Sequence, residues 1–126
     1  MYLNSNKFTS FPSVVCELPQ LQELHLGSNK ITEIPSEITK LTALRELSLS
    51  YNLLSGDLPK EVCLLKNLRK LYLHNNYLES LPRELGEMPL LKTIMIHNNQ
   101  KMTGTLKTFE AGDSEAILKY LKEQKA

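Results

Sequence analysis

Apolar and polar positions along the chain repeat as one string, L-x-x-L-x-L-x-x-N-x-L. It is complete in Leu68, Leu71, Leu73, Asn76 and Leu78, and upstream in Leu44, Leu47, Leu49, Asn52 and Leu54. Leu21, Leu24, Leu26, Asn29 and Ile31 carry it before that. Leu91, Ile94, Ile96 and Asn99 repeat it, with Lys101 in the last apolar position, while Leu3, Asn6 and Phe8 belong to a partial first copy. The starts at Leu21, Leu44, Leu68 and Leu91 fall every 23 or 24 residues, a period at which supersecondary units stack. Within each unit the L-x-L alternation has the period of a strand, so both leucines point to one side. One short strand per unit predicts a parallel sheet with strands about 4.8 Å apart. A single coil cannot bury its leucines, so the repeats fold together.

The second half of the unit is equally regular. Phe11-Pro12, Ile34-Pro35, Leu58-Pro59 and Leu81-Pro82 are followed by Val15, Ile38, Val62 and Leu85, then by Leu18, Leu41, Leu65 and Met88. Proline has no backbone donor and fixes φ, which places these segments on the side away from the sheet, as irregular or 3-10 backbone. Asn6, Asn29, Asn52, Asn76 and Asn99 sit where the chain turns away from the strand. Their amides can donate and accept together, and are expected to satisfy turn groups that water cannot reach. Near the end, Met102-Thr103-Gly104-Thr105-Leu106 matches Leu54-Ser55-Gly56-Asp57-Leu58 displaced by one residue. A bulge is therefore expected, with Met102 replacing the apolar residue lost at Lys101. Residues 1–108 form the repeats, about four full ones after the partial first, and 109–126 a closing helix. Asp113 or Ser114 is its expected N-cap, and Ile117, Leu118 and Leu121 its inward side.

These strings resemble those of leucine-rich repeat proteins over almost the whole chain. The resemblance implies an α/β fold: a right-handed solenoid with its short parallel sheet on the concave face and a C-terminal capping helix. The L-P-x-x-(L/I)-x-x-L half-repeats resemble the intracellular Ras-suppressor-like group. Asn52-Leu53-Leu54-Ser55-Gly56-Asp57-Leu58-Pro59 departs from it and is similar to the plant-type form common in receptor ectodomains.

Charge and cysteine usage narrow the setting. A net charge of +1 gives no field that would recruit nucleic acid or an anionic membrane. No run approaches the length needed to span a bilayer, and Met1-Tyr2-Leu3-Asn4 lacks the basic start and apolar run of a signal peptide. Cys16 and Cys63 occupy the same repeat position two coils apart, a Cα separation of about 10 Å. A disulfide spans no more than about 7 Å, so free thiols and a cytoplasmic location are expected. Met1 falls at the position of Leu24, inside a coil, which is expected of a piece of a longer protein or, as the alternative, of an end that packs on another surface.

The x positions of the strands define the face free to bind. Its C-terminal half gathers Arg69, Lys70, Tyr72, His74, Lys92, Met95 and His97, with Arg45 and Tyr51 beside them. Tyrosine, arginine and methionine are enriched where partner surfaces are desolvated, so these nine residues are the candidate partner-binding set. His74 and His97 are stacked neighbours, yet two ligands do not make a structural zinc site, and no metal or other cofactor is expected. Glu23 and Glu46 are neighbours on the same face, without an enclosed apolar surround that would tune either for acid–base work. Nucleophile-elbow, P-loop and H-E-x-x-H strings are missing as well, so no enzymatic activity is expected. The expected function is protein–protein interaction through the concave face. The family resemblance implies a scaffold in intracellular signalling, with a small GTPase or a phosphatase as partner. The alternative is a piece of a plant-type receptor ectodomain that recognises an extracellular protein or peptide.

Overall fold

The computed structural model describes residues 1–124, so residues 125–126 of the predicted C-terminal unit lie outside the described residues. Its strands are β1 (Glu23–His25), β2 (Glu46–Ser48), β3 (Ser55–Asp57), β4 (Lys70–Tyr72), β5 (Tyr77–Ser80) and β6 (Thr93–Met95). Strands β1, β2, β4 and β6 form one parallel sheet in that order. Leu24, Leu47, Leu71 and Ile94 are in register across it and fully buried, which is the outcome of the two-residue alternation. Tyr2 adds a bridge to His25 at the first edge.

Each coil returns through a 3-10 turn, at Ser13–Glu17, Ser36–Lys40, Lys60–Leu64, Arg83–Glu87 and Gly104–Thr108. A proline stands in extended conformation before four of these turns, at Pro12, Pro35, Pro59 and Pro82. The short turns keep each coil narrow, and Val15, Ile38, Val62 and Leu85 point inward from them to join the leucines in one continuous core. The expected leucine-rich repeat solenoid is the observed fold. One feature was not foreseen: β3 and β5 pair as a second, two-stranded parallel sheet, built from the unit containing Ser55-Gly56-Asp57 and the one after it.

The asparagines do more than close their own turns. Asn52 Nδ2 donates to Leu49 O at 3.1 Å and to Leu26 O of the preceding coil at 3.0 Å, while its Oδ1 accepts from Ile31 N at 3.0 Å. Asn29, Asn76 and Asn99 repeat the pattern, so a polar ladder runs through the core and ties each coil to the one before. Asn6 differs: it bonds only to Leu3 O and Asn4 O and is exposed, because no coil covers it. The residue before each asparagine is left-handed, with φ between 57° and 60° at Ser5, Ser28, Tyr51, Asn75 and Asn98.

The last coil carries the expected bulge. Met102 is buried while Lys101 is exposed, and Gly104 adopts a positive φ of 67° as Gly56 does at 70°. Helix α1 (Ser114–Glu123) follows and packs across β6 and the Arg83–Glu87 turn, burying Ile117 and Leu121. Its expected side-chain cap is not made. Asp113 occupies the N-cap position, yet its carboxylate accepts from Glu110 N at 2.7 Å, and the Ser114 hydroxyl is engaged by β6. Among the described residues, no helix is long and apolar enough to cross a membrane.

Candidate functional site

The sheet orders the concave side chains into rows one strand apart. Glu23, Glu46, Lys70 and Thr93 form one row in register, and His25, Ser48, Tyr72 and Met95 the next on the same face. On the strand-entry side lie Arg45, Arg69 and Lys92, linked by Arg69 N to Arg45 O at 2.7 Å and Lys92 N to Arg69 O at 3.0 Å. All three are exposed, and among the described residues none forms an ion pair. This row is a cationic ridge of solvent-exposed side chains.

On the strand-exit side the structure brings four of the predicted residues into one aromatic patch. His74 and His97 stack with ring centroids 4.6 Å apart and planes 12° from parallel. Tyr51 meets the His74 ring edge-on at 5.8 Å and Tyr72 does so at 6.3 Å. The Nδ1 atoms of both histidines are buried without a hydrogen-bond partner. Burial pushes His74 below the usual imidazole pKa, and the neighbouring His97 adds to the shift. Charging of His74 is thus disfavoured, and the stack presents the flat faces of its rings. Met95 stands beside Tyr72 in register.

Eight of the nine predicted residues thus fall into two groups, the ridge of Arg45, Arg69 and Lys92 and the patch of Tyr51, Tyr72, His74, Met95 and His97. Lys70 belongs to neither. Its ammonium lies 3.9 Å from Glu46 Oε1, so it faces the N-terminal half of the sheet.

That half contains a constellation the sequence reading passed over. His25 Nε2 lies 3.1 Å from Glu46 Oε2 and 3.4 Å from Glu23 Oε1, and the Tyr2 ring stacks on the imidazole at 4.5 Å. The Tyr2 hydroxyl donates to Glu23 Oε1 at 3.3 Å, and the Glu23 carboxylate raises the Tyr2 pKa. The signal was present in the repeat: Glu23 and Glu46 share one strand position and His25 stands one strand period further on.

On the convex side, Cys16 and Cys63 are free thiols. Burial pushes Cys63 up to about 11, with Glu84 adding to it, and burial likewise raises Cys16. Neither is an activated nucleophile, because activation lowers a thiol's pKa and both of these are raised.

Comparison with known proteins agrees with this architecture. The family model described as leucine rich repeat matches residues 1–54, and a second, leucine rich repeats in two copies, matches residues 42–87. No curated protein matches the chain. Among solved structures, a leucine-rich repeat protein of Leptospira interrogans superposes with a TM-score of 0.79 and 37% identity over 97% of the chain. The chain spans 29% of the length of that protein. The leucine-rich repeat ectodomain of the receptor kinase SOBIR1 from Arabidopsis thaliana matches 82% of the chain and 72% of its own length, with a TM-score of 0.56. At 22% identity this likeness concerns the fold alone. A plant peptide hormone receptor, RGFR1, in complex with RGF2, has the same TM-score and 26% identity over 75% of the chain and 19% of its own length.

Proposed function

We propose that this chain, a leucine-rich repeat solenoid, is a protein-recognition module that holds its partner on the concave sheet. The observation that carries the reading is the juxtaposition of an exposed cationic ridge with a stacked aromatic patch on one face. Tyr72 and His74 supply large, pre-ordered apolar surface at little entropic cost, which is what an anchoring contact needs. Arg45, Arg69 and Lys92 can each form a new ion pair with an acidic partner. Lys70 stands at the border between the two halves of the face. The partner is accordingly a protein segment with carboxylates beside an apolar or aromatic residue.

Within this reading the module is a scaffold in intracellular signalling, and a small GTPase or a phosphatase is the partner class suggested by the likeness to Ras-suppressor-like repeats. A cytoplasmic setting is supported by two free cysteines placed too far apart to bridge. A second reading has a specific observation in its favour. The unit from Asn52 to Pro59 follows the plant-type string and helps build the second sheet, and the chain shares its fold with plant receptor ectodomains. That reading makes the chain part of an extracellular receptor.

Affinity capture tests the concave-face recognition that both readings share. The wild type is compared with an Arg69→Glu/Tyr72→Ala double variant and with Lys66→Glu, an exposed control on the opposite side of the coil. Proteins held by the wild type and by Lys66→Glu but lost by the folded double variant support concave recognition. Equal retention by all three overturns it.

A further inference from the structure

We propose that Glu23, His25 and Glu46 form a binding site for a divalent zinc-type cation on the N-terminal half of the concave sheet. The three offer ligand atoms within 4.8 Å of one another, and each is placed by the backbone rather than by a flexible loop. Glu23 on β1 and Glu46 on β2 are register partners, while His25 stands one strand period beyond Glu23 on the same face. Stacking by Tyr2 limits rotation of the imidazole, and the Tyr2 hydroxyl, 3.3 Å from Glu23 Oε1, orients that carboxylate. Side-chain exposures of 15% at His25 and 21% at Glu46 leave the ligands half-enclosed, with Glu23 more open at 50%.

The separations suit a metal better than a proton. His25 Nε2 lies 3.1 Å from one carboxylate oxygen and 3.4 Å from the other. One imidazole N–H can be aimed well at only one of these acceptors. Ligands bound tetrahedrally at about 2.0–2.1 Å stand about 3.3 Å apart, close to both distances. A cation seated between the three atoms would meet the lone pair of neutral His25 and two carboxylates whose charges balance it. Lys70 engages the other oxygen of Glu46, at 3.9 Å from Oε1, so Oε2 stays available as a ligand. Three protein ligands leave a fourth position for water, and the imidazole selects a zinc-like ion over magnesium or calcium.

The test is calorimetric titration of the purified protein with zinc chloride in a non-coordinating buffer. The wild type is expected to bind at one site. His25→Ala should weaken binding by at least tenfold, Glu23→Gln and Glu46→Gln each by about tenfold, and a His74→Ala/His97→Ala variant should bind as the wild type does. In a parallel NMR titration of the wild type, the His25 ring signals should shift before those of His74 and His97, which keeps the site testable if a variant misfolds. Absence of zinc binding to the wild type overturns the assignment. So does undiminished binding by a folded His25→Ala variant, or a first response at the His74–His97 pair.

Discussion

Gly86 touches the backbone of Lys122 so closely that no side chain fits between them. A Cβ built on Gly86 would stand 2.5 Å from Lys122 N and 2.7 Å from Leu118 O. Those atoms belong to α1, so relief requires the helix to lift from the Arg83–Glu87 turn. Gly86→Ala should therefore destabilise by about 1–3 kcal/mol, the usual range for overpacking. Urea denaturation with an unchanged m-value would register it. A variant as stable as the wild type would mean that α1 does not rest on this turn.

The same helix closes the sheet through one hydroxyl. Ser114 Oγ accepts from Ile94 N and donates to Ile94 O, each at 3.0 Å, so it serves both backbone groups of β6 that another strand would have served. Ser114→Ala removes both bonds and should cost about 1–3 kcal/mol, since partly buried groups lose their only partner. Amide exchange at Ile94 should accelerate in the variant, and unchanged protection there would count against this edge-closing role.

The asparagine ladder permits an internal comparison. Asn52→Ala strands the buried Ile31 amide and takes one donor each from Leu26 O and Leu49 O, which keep those of Asn29 and Asn76, with an expected loss of about 1–3 kcal/mol. Asn6→Ala removes the same residue type at the same repeat position, where water replaces the bonds, and should stay within about 0.5 kcal/mol. Thermal melts of the two variants read this contrast directly. Equal losses would show that burial is not what makes the ladder matter.

The contrast also explains what the sequence could and could not reveal. Repeat periodicity dictates register, so the buried rows, the turn asparagines, the bulge at Met102 and the shared concave face of Tyr72, His74 and His97 were all legible. Relations that run across the period were not. Pairing of β3 with β5 depends on how two successive turns align, and the seating of α1 depends on Gly86 lacking a side chain. The grouping of Glu23, His25 and Glu46 needed two rows to be taken together, one holding carboxylates and the other an imidazole. Separately, each row looked like ordinary solvated surface. Nor does periodicity carry the electrostatic split between Lys70, which leans toward Glu46, and its cationic neighbours Arg45 and Arg69.

Tyr51 is a point where recognition and stability pull apart. It adopts φ of 57°, a conformation that costs a non-glycine residue about 1–2 kcal/mol and that asparagine tolerates, as Asn75 and Asn98 do in the equivalent turns. The residue is 56% exposed and its ring meets His74 edge-on, so the core gains little from it. Tyr51→Asn should raise stability by about 1 kcal/mol while weakening retention of the partner. A variant with a lower Tm would show that the tyrosine is held for packing, and one with full partner retention would remove it from the binding surface.

His74 gives the stability a pH dependence whose sign is fixed by its surroundings. Burial disfavours its charged form, and a proton on it would also face His97 at stacking distance, with Tyr51 and Tyr72 supplying only ring edges. Its folded-state pKa therefore lies below the unfolded value of about 6.5. Above about pH 6.5 both states hold it neutral and its contribution is fully present. As pH falls from there through the folded-state pKa, the unfolded chain takes up the proton first and stability is lost. Below the folded-state value both states are charged and the loss levels off. Replacing His74 with glutamine deletes this titration and leaves every other ionisable group in place, so the difference between the two proteins isolates it. Denaturation midpoints measured from pH 7.5 to pH 4.5 should fall more steeply for the wild type than for His74→Gln in the window just below about pH 6.5. Parallel curves would mean that burial in the imidazole stack does not disfavour the charged form of His74.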